Sequence, residues 1–212
     1  MKEFWPELLT KASWEKLIAL KKEIKKFIVI GGWAVYLWTG MHKSKDIDII
    51  VDLKTLDYFK KHYCVEKNES IKKYQIKFDK FDIDIYVPYF SRFIIPVEEL
   101  MKHTKKVSGF EVLEPEFLVI IKQSAQISRK ESVKGEKDVI DILALIIKAP
   151  FDIKKYFSIL KKYKVEHYAK NLLDIIRGFD AKRSEWLGMN FKEFKTWQKN
   201  FLKELKQIPK NL

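Results

Sequence analysis

Apolar residues are spaced differently in the two halves of the chain. Between Tyr74 and Val87, apolar and polar side chains alternate on both sides of a short turn, which is typical of a β-hairpin. From Pro115 onward, apolar residues recur at helical spacing. The pattern therefore predicts an α+β fold, with a mixed β-sheet unit over residues 1–113 and a helical bundle over residues 114–212.

Short apolar runs mark the strands of the first half. The run Phe27–Ile30 indicates a buried strand that enters a tight turn at Gly31-Gly32. The other elements predicted in this half are helical structure within the first 26 residues, helices at Trp33–Met41, Leu56–His62 and Pro96–Lys102, strands at Ile47–Val51, Tyr74–Phe78 and Phe81–Val87, and an edge strand at Gly109–Leu113. The helices predicted in the second half are Pro115–Ser128, Lys137–Lys148, Asp152–Tyr163, Val165–Arg177 and Phe191–Gln207.

Two aspartates, Asp46 and Asp48, flank Ile47 at the start of the second predicted strand. Side chains two positions apart on a strand project from the same face. The strand continues with three apolar residues, so we predict that it is buried, where paired carboxylates repel each other and lose hydration. Carboxylate oxygens that bind one or two hard cations would offset this cost. A solvated polar strand face is the alternative interpretation of an isolated Asp-x-Asp.

Further carboxylates are available on the second strand of the hairpin. Asp82 and Asp84 share one face of that strand, and either could join Asp46 and Asp48 if the two strands are neighbours. Two-metal phosphoryl transfer uses such a cluster of carboxylates. The sequence thus offers Asp46, Asp48 and either Asp82 or Asp84 as three ligands for one metal site.

The paired glycines Gly31-Gly32 lie between a predicted strand and a predicted helix. Glycine lets the backbone approach a ligand closely, and a helix N-terminus carries partial positive charge, so this turn could hold a phosphate group. A Gly-Gly pair alone is weak evidence for a phosphate loop. Asp46 and Asp48, which follow this turn in the sequence, strengthen the interpretation as a phosphate loop.

These segments resemble, as a set, the signature of the DNA polymerase β-like nucleotidyltransferase superfamily. The matching stretches are Gly31–Leu37 and Lys45–Val51, which hold a Gly-Gly turn, a helix and Asp-hydrophobic-Asp; the superfamily adds a third acid on a later strand. The resemblance covers roughly the N-terminal half of the chain. It implies a sheet like the palm of polymerase β.

The resemblance also implies roles for individual residues. Asp46 and Asp48 would bind catalytic Mg²⁺ or Mn²⁺, while Gly31 and Gly32 would hold the triphosphate of an NTP substrate. Asp84 is the preferred third metal ligand and catalytic residue, because it lies in the middle of its strand, as the third acid of the superfamily usually does. Asp82 is the alternative.

A second segment, from Pro115 to Asp141, resembles the helical region of the AbiEii-like branch, which includes toxins of type IV toxin–antitoxin pairs. Lys122 and Arg129 are seven residues apart and therefore share a helix face. They could clamp phosphate groups of the NTP or the acceptor, or they could form a solvated face. Asp138 and Asp141 are three residues apart and could simply pair with Lys137, Lys134 or Arg129 across the helix surface.

Charge narrows the choice of partner. The chain carries 42 Lys and Arg against 29 Asp and Glu, a formal net charge of +13, which favours a polyanion such as NTP, RNA or tRNA. Lys45, beside Asp46, is a candidate for phosphate contact. Cys64 is the single cysteine and is typical of a reduced cytoplasmic protein, and no apolar run reaches the length of a membrane span.

We therefore expect a metal-dependent nucleotidyltransferase that moves an NMP from an NTP to a hydroxyl group with release of pyrophosphate. One alternative is a nucleic-acid-binding protein on the same scaffold without catalysis. Another is a toxin–antitoxin component whose C-terminal helices bind an antitoxin-like protein. The complete set of aspartates favours the enzyme.

Overall fold

The computed structural model describes residues 3–207 and divides them into two compact units. Phe4–Glu114 forms the N-terminal unit, and 115–207, with Glu3, forms the C-terminal unit. In the described range the N-terminal unit holds a seven-stranded mixed sheet with the order β3-β4-β5-β2-β1-β7-β6. The strands are β1 (Ile28–Ile30), β2 (Ile47–Ile50), β3 (Glu66–Asn68), β4 (Lys73–Lys77), β5 (Asp82–Tyr86), β6 (Thr104–Val107) and β7 (Phe110–Leu113).

The centre of the sheet carries the buried core of this unit. Strand β1 pairs antiparallel with β2 and parallel with β7, and β2 pairs parallel with β5. Residues Val29, Ile49, Ile85 and Val112, one from each of these strands, are fully buried. The predicted hairpin is present as the antiparallel pair β4 and β5.

The edges of the sheet differ from the prediction. The segment Gly109–Leu113 was expected to be an edge strand, but β7 lies between β1 and β6, and β6 is the edge. Strands β6 and β3 were not predicted, because Thr-Lys-Lys-Val and Glu-Lys-Asn lack an apolar face. Their pairing depends on neighbouring strands and leaves little trace in local sequence.

Four helices accompany the sheet in residues 4–114. The helix after β1 begins at Gly31, two residues before the predicted start, and ends at Thr39; the next residue, Gly40, has a left-handed φ of 69°. That conformation suits glycine and closes the helix. The helices are α1 (Glu7–Glu23), α2 (Gly31–Thr39), α3 (Leu53–His62) and α4 (Val97–Leu100).

The C-terminal unit is helical throughout its described residues, so the predicted α+β architecture with a C-terminal helical region is confirmed. Its core includes Leu143, Tyr156 and Phe194, all fully buried. Across residues 3–207, no helix has both the length and the apolar character needed to cross a membrane. The elements are α5 (Pro115–Ser128), α6 (Val133–Lys148), α7 (Ile153–Lys162), α8 (His167–Gly178), a 3₁₀ helix (Ala181–Leu187) and α9 (Phe191–Gln207).

Candidate active site

Strand β2 carries two of the predicted acids on one face. Asp48 lies inside the strand and is partly buried, while Asp46 comes immediately before its first residue. Ile47 and Ile49, which alternate with them, are fully buried on the opposite face. Burial of the isoleucines therefore fixes the direction in which both carboxylates project.

The neighbouring strand β5 brings the other two acids to the same face. Asp84 is the register partner of Asp48 in the parallel pair. The backbone N–H of Asp82 donates a hydrogen bond of 3.3 Å to Oδ1 of Asp46. Aligned residues of adjacent strands share a face, so Asp46, Asp48, Asp82 and Asp84 form one surface, which we call the aspartate face.

The glycine turn lies beside this surface. Ile30, the last residue of β1, is the register partner of Asp48. The next residue, Gly31, has a φ of 64° and opens helix α2; a Cβ atom at this position would collide with the carboxylate of Asp48. Glycine is therefore required by both the backbone angle and the available space. Gly32 follows as the second residue of α2 and is buried, so the positive end of the helix lies next to Asp48.

Asp84 is the acid whose environment is most unusual. Its Oδ2 accepts a hydrogen bond of 2.5 Å from Nζ of Lys73, and the two side chains are only 14% and 12% exposed. Its Oδ1 is buried and has no hydrogen-bond partner among residues 3–207. Burial raises the pKa of Asp84, the Lys73 ammonium lowers it, and the charges of Asp46 and Asp82 raise it further, so that the pKa lies above its ordinary value.

Asp82 differs from Asp84 in what it contacts. Its Oδ2 accepts a hydrogen bond of 3.0 Å from the amide Nε2 of Gln75. Gln75 and Lys73 both lie on β4, two residues apart, and Gln75 is the register partner of Asp84. Strand β4 therefore supplies one neutral and one charged donor to the two acids of β5.

Sequence reasoning did not identify Lys73 or Gln75 as members of this site. The signal was present in the alternation of the hairpin, since the polar positions of β4 oppose the aspartates of β5. Which lysine reaches which acid depends on the exact register. That register cannot be obtained from alternation alone.

The aspartate face has the donor chemistry that a hard divalent cation requires. Its side chains are all carboxylates, and Oδ1 of Asp84 retains its full capacity to accept. In the part of the chain that the structure describes, no group of three or more His, Cys, Asp or Glu side chains converges closely enough to hold a metal ion. The carboxylates are thus the right type of ligand for a divalent cation. To bind one cation jointly, they would have to turn toward each other, and Asp84 would have to loosen its contact with Lys73.

The basic residues predicted to contact phosphate lie in different places. Lys45 is half-buried in the loop just before β2, directly preceding Asp46. Lys122 and Arg129 lie on α5 of the C-terminal unit. Nζ of Lys122 is 3.1 Å from Asp138 and 2.7 Å from Asp141, both on α6.

Arg129 and Lys137 complete this group of charges. Nε and Nη2 of Arg129 each donate a hydrogen bond to the carboxylate of Asp138, at 2.8 and 3.0 Å. Nζ of Lys137 is 2.8 Å from Asp141. The pairing of the two aspartates with Arg129 and Lys137, one of the alternatives drawn from the sequence, is thus present. We call these five residues (Lys122, Arg129, Lys137, Asp138 and Asp141) the ion-pair network; the nucleotide-binding role of Lys122 and Arg129 stays a prediction.

The ion-pair network is almost completely buried. The side chains of Asp138 and Asp141 are 1% and 0% exposed, and Arg129 is the most exposed of the five, at 39%. Burial lowers the pKa of Lys137. Burial would raise the pKa of Asp141, but the charges of Lys122 and Lys137 outweigh burial and leave it below its ordinary value.

Solved structures that share this fold include nucleotidyltransferases. The antibiotic-resistance factor ANT(2'')-Ia, solved in solution, is similar with a TM-score of 0.53 and 11% identity, covering 76% of this chain and 94% of that chain. Its crystal structure with adenylyl-2''-tobramycin has a TM-score of 0.51 and 13% identity, covering 73% of this chain and 96% of that one. A protein from H. pylori, named as a nucleotidyltransferase, has a TM-score of 0.50 and 15% identity, covering 94% and 97%.

At these identities the likeness shows the fold. The sheet with its helices is that of nucleotidyltransferases, as the Gly-Gly turn and the Asp-x-Asp strand led us to expect. No protein-family model and no curated protein matches the sequence.

Proposed function

We propose that this chain is a nucleotidyltransferase that moves an NMP from an NTP to a hydroxyl group of an acceptor, with Mg²⁺ or Mn²⁺ held by Asp46, Asp48 and Asp84. The observation that carries the proposal is the parallel register of Asp48 with Asp84 beside the Gly31 turn, in a nucleotidyltransferase fold. When bound, the divalent cations would supply charge neutralisation for the phosphates.

The chain's own residues would orient and deprotonate the reactants. Backbone N–H groups at Gly31 and Gly32, together with the positive end of α2, would hold the triphosphate. The acceptor oxygen would form a bond to the α-phosphorus while the bond between that phosphorus and the bridging oxygen breaks, releasing pyrophosphate. Oδ1 of Asp84 would take the proton of the acceptor hydroxyl, because it is the buried oxygen with capacity to accept one.

Asp84 is preferred over Asp82 as the third acid. An Asp82 oxygen already accepts from the Gln75 amide, whereas one Asp84 oxygen has no described partner. Lys45, beside Asp46, is proposed as a further phosphate contact. Lys122 and Arg129, which the sequence offered for the same role, are engaged by Asp138 and Asp141, so the proposal does not depend on them.

We propose RNA, with tRNA as one candidate, as the acceptor. The net charge of +13 supports a polyanion, because counterion release favours binding to a phosphate backbone. ANT(2'')-Ia was solved with an adenylylated aminoglycoside, so aminoglycosides are the small-molecule acceptors to test against RNA.

The test offers each α-labelled NTP with Mg²⁺ to total RNA and to aminoglycosides. We expect label to enter RNA with the wild-type chain, and Asp46→Asn to reduce transfer about 10²-fold or more, the scale of removing one electrostatic contact in an active site. Asp57→Asn, an exposed aspartate on α3, is the matched control. Unchanged transfer by Asp46→Asn would remove this residue from the mechanism, and label that enters only aminoglycosides would reject RNA.

A further inference from the structure

A groove of about 580 Å³ lies in the N-terminal unit, at the end of β1 away from the aspartate face. Ile28, the first residue of β1, lines the groove, whereas Ile30, the last, is paired with Asp48. Phe27 and Phe110 contribute apolar surface beside it. The groove is therefore separate from the proposed NTP site.

Four exposed lysines line this groove, which we call the lysine groove: Lys21, Lys25, Lys26 and Lys106. The first three come from the end of α1 and the segment after it, and the fourth comes from edge strand β6. Among the residues that the structure describes, no carboxylate lies within ion-pair distance of any of their ammonium groups. Their positive charges therefore combine to give the groove a positive electrostatic potential.

Several other lysines of the same unit are neutralised by neighbouring carboxylates. A lysine next to a carboxylate contributes little to the potential of the surface, whereas the four lysines of the groove lie together without such a partner among the described residues. The lysines of the N-terminal unit with an ion-pair partner are Lys16 with Glu23, Lys67 and Lys72 with Glu69, Lys73 with Asp84, Lys77 with Glu66, Lys102 with Glu99 and Lys105 with Glu114.

Lys21 is held in place within the groove. Its Nζ lies 4.6 Å from the centre of the Phe110 ring and 3.4 Å from the carbonyl oxygen of Ser108. The ammonium occupies space that a side chain at Gly109 would fill, since a Cβ atom there would collide with it. An ammonium that is already positioned loses less conformational entropy when it binds an anion.

One carboxylate, that of Glu111, also lines the groove. Its Oε2 accepts a hydrogen bond of 2.9 Å from Oγ1 of Thr104, which directs it to a neutral donor. Four positive groups and one negative group leave a clear positive excess. Several ammonium groups spread over one groove suit a row of phosphates better than a single small anion.

We propose that the lysine groove binds the phosphodiester backbone of a nucleic-acid strand and anchors the RNA acceptor of the proposed transfer reaction. The identity of the strand as acceptor rests on the proposed function; binding to the backbone does not. A strand bound in the groove at one end of β1 could continue past it and bring a hydroxyl group to the aspartate face at the other end.

The test measures binding of a fluorescent single-stranded RNA by anisotropy over a range of NaCl concentrations, without NTP or metal. The groove variant is Lys21→Gln, Lys25→Gln and Lys106→Gln combined. The control variant combines Lys11→Gln, Lys54→Gln and Lys61→Gln, three exposed lysines outside the groove, and has the same net charge. A DNA strand of the same sequence and phosphatidylserine vesicles are tested in parallel.

We expect the groove variant to bind RNA more weakly and to lower the salt slope by about 2, since each phosphate contact of a single strand contributes about 0.7. The control variant should change the slope by much less. Equal loss in both variants, no salt-dependent RNA binding by the wild-type chain, or a loss confined to vesicles would overturn the proposal. Equal loss of RNA and DNA binding would support the backbone as the ligand.

The two proposals fail separately. Binding of RNA in the groove without any transfer of labelled nucleotide rejects the enzymatic function and leaves the groove standing. Transfer to RNA that is insensitive to the groove variant rejects the groove as the anchor of the acceptor and leaves the enzyme standing. Circular dichroism of both variants verifies that these surface substitutions leave the fold intact.

Discussion

The aspartate face of the N-terminal unit and the ion-pair network of the C-terminal unit both combine carboxylates with basic side chains, but in different proportions. In the network, each of the four oxygens of Asp138 and Asp141 is contacted by a lysine or an arginine. On the aspartate face, four carboxylates gather on two strands, and Oδ1 of Asp84 is buried without a described hydrogen-bond partner. Complete compensation is typical of a structural role, and incomplete compensation of buried charge marks a place where a ligand would be stabilised.

Breaking the network should have the largest effect on stability. Asp141→Asn would leave Lys122 and Lys137 buried with one carboxylate fewer, so we expect the free energy of unfolding to fall by about 3–5 kcal/mol. Urea denaturation measures this difference. Asp174→Asn, an exposed aspartate on α8, is the control and should change stability little. Equal effects of the two substitutions would mean that the network does not stabilise the helical unit.

Lowering the pH should gradually remove the stabilisation that Asp141 provides. The pKa of Asp141 is lowered in the folded protein, so its stabilising effect is present above the ordinary aspartate pKa of about 3.9 and is lost as the pH falls through the lowered value. The stability difference between the wild-type chain and Asp141→Asn should therefore shrink below about pH 4. Urea denaturation from pH 7 to pH 3 tests this, and a difference that grows toward acid would contradict it.

The aspartate face can be disturbed through its glycine. At Gly31→Ala the new methyl group would collide with Asp48 and the backbone would be strained at a φ of 64°, so we expect a loss of about 1–3 kcal/mol in stability together with loss of nucleotide transfer. Gly178→Ala is the matched control, because nothing lies within 4 Å of the added atom. Thermal unfolding and the transfer assay read out both effects. Full activity of Gly31→Ala would show that this turn has no part in the reaction.

The smallest expected effect concerns how tightly the aspartate face binds a divalent cation. Lys73 competes with a divalent ion for Asp84, so Lys73→Met should bind Mn²⁺ more tightly, by about tenfold or 1.4 kcal/mol, within the range of one hydrogen bond to a charged group. Electron paramagnetic resonance of Mn²⁺ measures the affinity without substrate. Lys67→Met, on the edge strand β3 and paired with Glu69, is the control. Weaker Mn²⁺ binding by Lys73→Met would show that the lysine assists the cation.

Local patterns were sufficient to predict the elements whose burial is regular. The bounds of Pro115–Ser128 and Phe191–Gln207 agree with the sequence at both ends. Proline marks the start of the first helix, and apolar residues at helical spacing run along the second. The aspartates of β5 were identified because that strand keeps period-two alternation, and those of β2 because Asp46 and Asp48 flank an isoleucine at the start of an otherwise apolar strand.

Elements that depend on tertiary partners could not be predicted in the same way. Strands β3 and β6 are formed from polar residues that pair only because a neighbouring strand is present. The contact of Lys73 with Asp84 depends on register, and that of Lys122 with Asp138 depends on how α5 packs on α6. Sequence spacing shows which residues share a face, but it does not show which face of another element they meet.

The polar character of the outermost strands affects how the molecule behaves in a crowded solution. Edge strands expose unpaired N–H and C=O groups that can recruit a strand of another molecule and start aggregation. Strand β6 presents Lys105 and Lys106 on one edge, and β3 presents Glu66 and Lys67 on the other. An incoming chain would have to bring its own backbone past these hydrated charges, so the sheet is protected from growing beyond its own strands.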